Sequence, residues 1–168
     1  YRLAYLLKFK ESFVFYDEVL KLGFVIYIMA LFYVVTFQDV SWSTSNFIPF
    51  KEMLRYEIGS PLFIKNVIGN MIMFLPYGFF TSYLLKLDKK STMLCLSVIV
   101  SLTIEVTQMV IGRVFDVDDI ILNILGAMCG YFIYRFIVNI KDRLPHFLKT
   151  KWCYNTVVVI IVFLLVWY

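Results

Sequence analysis

From Trp152 to Tyr168 the chain carries no charged side chain at all, and four earlier stretches of similar length come close to the same condition. A hydrocarbon layer of ~30 Å is crossed by about 20 helical residues, so runs of this kind dictate what surrounds the chain before any motif is considered. The whole composition agrees: 61% of the residues are hydrophobic and 17% charged, with a mean hydropathy of +0.81. Soluble domains have about 45–50% apolar residues and about a quarter charged, so both a soluble globular domain and a disordered chain are excluded.

Five spans are expected, at about 19–37, 66–85, 92–111, 120–140 and 152–168. Residues 1–18 mix apolar and charged side chains in the manner of an interfacial segment. With 168 residues there is little left for a separate soluble unit, and residues 1–168 read as one membrane domain of the all-α class, a polytopic helix bundle. The chain starts at Tyr1 without an initiator Met and with no cleaved-signal pattern before the first span, so the native N-terminus is expected upstream.

Orientation follows from the basic residues, which are retained on the cytoplasmic side. Arg2, Lys8, Lys10, Lys21, Lys86, Lys89, Lys90, Arg135, Lys141, Arg143, Lys149 and Lys151 fall on one side of the alternation. Only Lys51, Arg55, Lys65 and Arg113 fall on the other, which gives an N-in, C-out arrangement. The net charge of +4 is thus a topology signal, and no nucleic-acid surface is implied.

The polar residues inside the apolar runs converge. Asn66 and Asn70, spaced i,i+4, lie in the outer turns of the second span. Glu105 and Gln108 lie near the outer end of the third, and Ser97 and Ser101 extend their stripe inward. The outer turn at 112–119 adds Asp116, Asp118 and Asp119, and Asn123 opens the fourth span one turn later. An ionised Asp at a helix centre costs about 2.5–3.5 kcal/mol on insertion scales, so eight polar residues at one depth need a reason. A purely structural reading remains beside the functional one: Asp116 or Asp118 capping a helix, the Asn residues bonding neighbouring helices, Glu105 pairing with Arg113.

Other features point to architecture. Pro76 and Gly78 are expected to kink the second span, and Gly126 and Gly130 form a GxxxG suited to close helix packing. Arg135 is expected to reach the cytoplasmic headgroups. Cys95, Cys129 and Cys153 show no paired spacing and read as small buried residues, and His146 stands alone in a basic loop, so neither a metal nor a cofactor is implied. Hydrolase, zincin and nucleotide-binding signatures are absent.

The ordered set Asn46-Phe47-Ile48-Pro49-Phe50, Asn66-Val67-Ile68-Gly69-Asn70, Phe74-Leu75-Pro76-Tyr77-Gly78, Glu105 with Gln108, and Asp116-Val117-Asp118-Asp119 with Asn123, Gly126 and Gly130 resembles the VanZ family of bacterial membrane proteins. The likeness covers about residues 46–134, and its D-x-x-D spacing is met by Asp116 and Asp119, with Asp118 an additional acid. The resemblance implies a multi-pass protein of a Gram-positive cell envelope, associated with resistance to teicoplanin. Its expected partners are membrane lipids and, at the outer face, a lipoglycopeptide or a lipid-linked wall precursor; the oligomeric state is left open. A non-enzymatic effect at that face is the leading expectation, and an intramembrane enzyme using Glu105, Asp116 and Asp119 on a lipid or wall precursor is the alternative. A proton-coupled transporter centred on Glu105 is a third class, weakened by the lack of an inverted repeat.

Overall fold

The computed structural model describes residues 14–37, 45–143, 145 and 149–167. His146, most of the 1–18 interfacial segment and the 38–44 part of the outer loop lie outside the described residues. Among the described residues there are five long helices, α1 (Phe15–Phe37), α2 (Pro61–Leu85), α3 (Lys90–Val110), α4 (Val117–Arg143) and α5 (Lys151–Trp167), and a short 3-10 turn at Met53–Arg55. No β-strand occurs among the described residues. α2, α3 and the Val117–Lys141 part of α4 are long and apolar enough to cross a membrane. α1 carries Asp17, Glu18 and Lys21 in its first turns, and the apolar run described for α5 is the shorter Lys151–Phe163.

The helix ends have local causes. Ser60 caps α2 by accepting the Phe63 N–H at 3.1 Å, and Pro61 occupies the position where a missing N–H costs nothing, so α2 begins five residues before the expected 66. Its first turns include a π-helical stretch, Ile64–Ile68, in which the Gly69 N–H reaches back to the Ile64 carbonyl. Lys86 ends the helix in the left-handed conformation (φ 51°), and its N–H and that of Leu87 both return to the Ser82 carbonyl. α3 stops at Gly112, with φ 86°.

α2 and α4 run parallel and touch through their backbones. A Cβ built on Gly126 would collide with the backbone of Met71, one on Gly78 with Ala127, and one on Gly130 with Leu75 and Phe79. Lipid tails are as apolar as the side chains they meet, so such close approach supplies the packing that water-driven burial supplies in soluble proteins. Gly78 is therefore a packing residue of the α2–α4 contact, where the sequence had suggested a kink shared with Pro76. One residue beyond the Ile72 carbonyl that Pro76 leaves without its helical donor, the Tyr27 hydroxyl from α1 donates to the Met73 carbonyl at 2.9 Å.

Below this contact Leu31, Phe74, Tyr77, Met93, Ala127 and Tyr131 form the apolar core. α1 leans on α2 through Phe24 and Phe80, and meets α5 through Tyr16 and Tyr154 and a bond from the Tyr16 N–H to Asn155 Oδ1 at 3.0 Å. Elsewhere the surface is apolar, with Met29, Phe32, Phe132, Phe136 and Ile160 outward, as lipid-facing helices require. Cys95 and Cys129 are exposed on that surface rather than buried, which corrects the expectation for them.

Arg135 pairs with Asp88 in the α2–α3 turn at 2.5 Å, rather than only reaching for headgroups. Asp88 is 83% exposed, so the pair contributes at most about 1 kcal/mol. Arg135→Gln is accordingly expected to leave thermal unfolding in detergent nearly unchanged; a loss of several degrees would show that this pair matters more than its exposure allows.

Candidate functional site

The entire buried face of α3 is Met93, Ser97, Ser101, Glu105 and Gln108, so four of its five inward residues are polar. In a helix with lipid outside, this reverses the usual order and marks the line along which α3 meets α4. Ser101 Oγ accepts from Asn123 Nδ2 at 3.1 Å, which ties the stripe to α4. One turn further out, Glu105 Oε2 accepts the Asp116 N–H at 3.1 Å. The Gln108 amide, oriented by its partners, donates to Glu105 Oε1 at 3.0 Å and accepts from Arg113 Nη1 at 2.8 Å.

The three aspartates divide their tasks. Helix α4 begins at Val117, so Asp116 is its cap: Oδ1 accepts the Asp118 N–H at 2.9 Å and the Asn46 amide at 2.9 Å. Burial pushes the Asp116 carboxyl above the ordinary carboxylate pKa, and the Asn46 and Asp118 hydrogen bonds pull it part of the way back. Asp119 looks toward α2 and accepts from Asn70 Nδ2 at 2.5 Å. Asp118, 1% exposed, is the most deeply buried of the three. Its carboxylate accepts three backbone N–H groups from one loop: Phe50 at 2.5 Å, Glu52 at 2.8 Å and Met53 at 3.0 Å.

Asp118 is therefore no supernumerary acid. It is the group that clamps the 46–53 loop to the bundle. Asn46 completes the attachment as a short parallel bridge with Asp116: its N–H bonds the Phe115 carbonyl at 2.8 Å and its carbonyl accepts the Val117 N–H at 3.1 Å. The Asn46 side chain also accepts the Ile48 N–H at 3.1 Å, and the Phe47 and Phe115 rings stack at 5.2 Å.

Pro49 and Phe50 form the next turn, closed by Lys51 N–H to the Ile48 carbonyl. Phe50 has φ 67°, a left-handed conformation that costs a residue with a Cβ about 1–2 kcal/mol. The Asp118 bond to its N–H holds it there. Backbone donors of residues 50–53 carry no signature in sequence, and the useful hint was the N-x-x-P-F pattern preceding a positive-φ turn.

Asn46, Asn70, Glu105, Gln108, Asp116, Asp118, Asp119 and Asn123 are thus brought together at one end of the bundle. Asn66, about one turn before Asn70, sits half-buried in the π-helical stretch, and no hydrogen bond joins it to the cluster among the described residues. Asn123 Oδ1 and Thr81 Oγ1 are buried without a partner among the described residues. No group of three or more His, Cys, Asp or Glu side chains among the described residues is arranged to hold a metal ion. What the arrangement does chemically is accept hydrogen bonds from the protein itself: Asp118 takes three backbone N–H groups, and Glu105 takes one backbone N–H and the Gln108 side-chain amide.

Apolar helices around a polar, loop-clamping end define a small all-α membrane protein. A family model described as VanZ/LLP1 matches residues 24–139, the stretch that holds every element of the clamp. The chain belongs to the VanZ/LLP1 family. No curated protein and no solved structure matches it.

Proposed function

We propose that this is a five-span, N-in and C-out protein of the bacterial cell membrane, and that its polar end faces outward. There it lowers sensitivity to lipoglycopeptide antibiotics such as teicoplanin without catalysing a reaction, by engaging the drug or the lipid-linked wall precursor of a Gram-positive envelope. Family membership and the twelve-to-four bias of basic residues support the setting. The observation that carries the non-enzymatic part is the use of the carboxylates: Asp118 holds three backbone N–H groups and Glu105 two donors, which is the work of a scaffold. A general acid or base has to exchange its proton with a substrate, and Glu105, the most buried acid that the enzyme reading needs, has both oxygens engaged within the protein.

Glu105 and Asp119 fasten α3 and α2 to the start of α4. Glu105→Gln or Asp119→Asn, with membrane expression unchanged, is expected to lower teicoplanin tolerance several-fold and to raise labelled drug on the cell surface. Wild-type tolerance and wild-type drug load in both variants would reject the proposal. The competing enzyme reading, with Glu105, Asp116 and Asp119 as acid/base groups on a lipid or wall precursor, requires a new or missing species in lipid and muropeptide profiles of expressing cells. The expected result is unchanged profiles.

A further inference from the structure

The loop that Asp118 clamps exposes its apolar side chains. Phe47 is 70% exposed, Ile48 62%, Phe50 54%, Leu54 83% and Ile58 90%, a density of bare apolar surface that a water-facing loop rarely carries. We propose that this segment, residues 47–58, is immersed in the headgroup and acyl boundary of the phospholipid leaflet on the cluster's side, with the phospholipid itself as the occupant of its apolar face.

Three observations lead to lipid. Ile58 lies three residues before the start of the apolar helix Pro61–Leu85, so at most about 10 Å of chain separates it from the span. The interfacial zone on each side of the hydrocarbon is itself ~5–8 Å deep, so this length keeps the Ile58 end of the loop in or next to it. Leu62 and Ile64, at the entry of the apolar helix α2, are exposed as well, so the bare apolar side chains run on in sequence from the loop into the span.

The second is the backbone. A segment can leave bulk water only when its N–H groups have partners, and from Ile48 to Arg55 every residue that carries one meets that condition. Ile48 bonds Asn46, Lys51 bonds Ile48, Phe50, Glu52 and Met53 bond Asp118, Leu54 bonds Phe50, and Arg55 bonds Glu52. Asp118 thus does for this loop what a neighbouring strand or helix would do elsewhere. Charge is the third: Arg55 is paired with Glu52 at 3.1 Å and the exposed Lys51 is matched by the exposed Glu57, so the segment carries no net charge and its long charged side chains can stay among headgroups while the apolar ones go deeper. The consequence is that an acyl-bearing ligand would meet this loop from within the leaflet.

The test uses the whole protein in phospholipid nanodiscs, with no antibiotic present, so its outcome is independent of the resistance reading. Nitroxide labels are placed at Leu54→Cys and Ile58→Cys in a background of Cys95→Ala, Cys129→Ala and Cys153→Ala, with Lys89→Cys as the aqueous reference. Both loop labels are expected to collide with oxygen rather than with a water-soluble nickel chelate, the ratio exceeding that at position 89 roughly twofold or more. Ratios matching position 89 would overturn the inference, because the loop would then stand in water. Labels inaccessible to both reagents would also overturn it, since a second protein copy would then cover the face.

Discussion

Gly126→Ala is expected to destabilise the bundle, although alanine is the better helix former. In a helix interior that exchange ordinarily gains about 0.8–1.0 kcal/mol. Here the added carbon would lie on the Met71 backbone, under 3.0 Å from its carbonyl group, and no rotamer change can move a backbone. The helices must separate, and overpacking of this kind costs about 1–3 kcal/mol, with leucine worse than alanine. Gly130→Ala meets Leu75 and Phe79 in the same way, and Gly78→Ala meets Ala127.

Gly23 supplies the control. A Cβ there would meet only the Phe80 ring edge at 3.8 Å, an ordinary contact. Gly23→Ala should therefore be neutral or stabilising by up to about 1 kcal/mol. Thermal unfolding in one detergent, read for both variants, decides the matter by sign: a stabilised Gly126→Ala would mean that α2 and α4 do not touch there. The contrast matters because no hydrophobic transfer term holds membrane helices together.

Helical periodicity makes the α3 stripe readable in the sequence, because Ser97, Ser101, Glu105 and Gln108 repeat at i,i+4 and i,i+3 and no loop geometry intervenes. The aspartates are legible only in part. The turn at 112–119 is expected to hold all three, with Asp116 or Asp118 open as a helix cap, and the helix starts at Val117. Asp116 is then a cap, whose direction is set by the Asn46 bridge, and Asp118 faces a loop 65 to 68 residues away in sequence. Nothing local encodes such a partner.

Asn66 differs from Asn70 in its hydrogen bonding. Its i,i+4 relation to Asn70 suggested a shared role, yet it lies in the π-helical turns, and only Asn70 reaches Asp119. The glycines were legible as a small-residue motif, while their partner was not: GxxxG fits a second copy as well as a neighbouring helix, and here it receives α2. Exposure of Phe47, Leu54 and Ile58 was likewise hidden, since an apolar residue in a loop reads equally as a plug for the bundle.

Asp118→Ala is expected to open the outer loop while leaving the helices assembled. The substitution removes both acceptor oxygens, so the N–H groups of Phe50, Glu52 and Met53 lose their partners together. A buried donor left unpaired costs about 1–3 kcal/mol, and the charge-assisted bonds being lost are worth about 1.5–3 kcal/mol each. The sum exceeds what a short loop can bear, and water is close by, so the loop is expected to detach and let its N–H groups hydrate. Strain adds to the effect: Phe50 is held at φ 67° by that same carboxylate, and its release favours detachment by a further ~1–2 kcal/mol. Asp118→Asn keeps one acceptor and should fall between wild type and alanine. Hydrogen exchange measured in nanodiscs should show amides 50, 52 and 53 exchanging about 100-fold faster or more in Asp118→Ala, since ~3 kcal/mol corresponds to about two decades. Exchange within α2 to α4 should stay close to wild type, because the glycine contacts and the Ser101 to Asn123 bond do not pass through Asp118. Wild-type exchange at 50, 52 and 53 would show that the loop is held by Asn46 and the Phe47 to Phe115 stack alone, and the clamp would then have to be reassigned to that bridge.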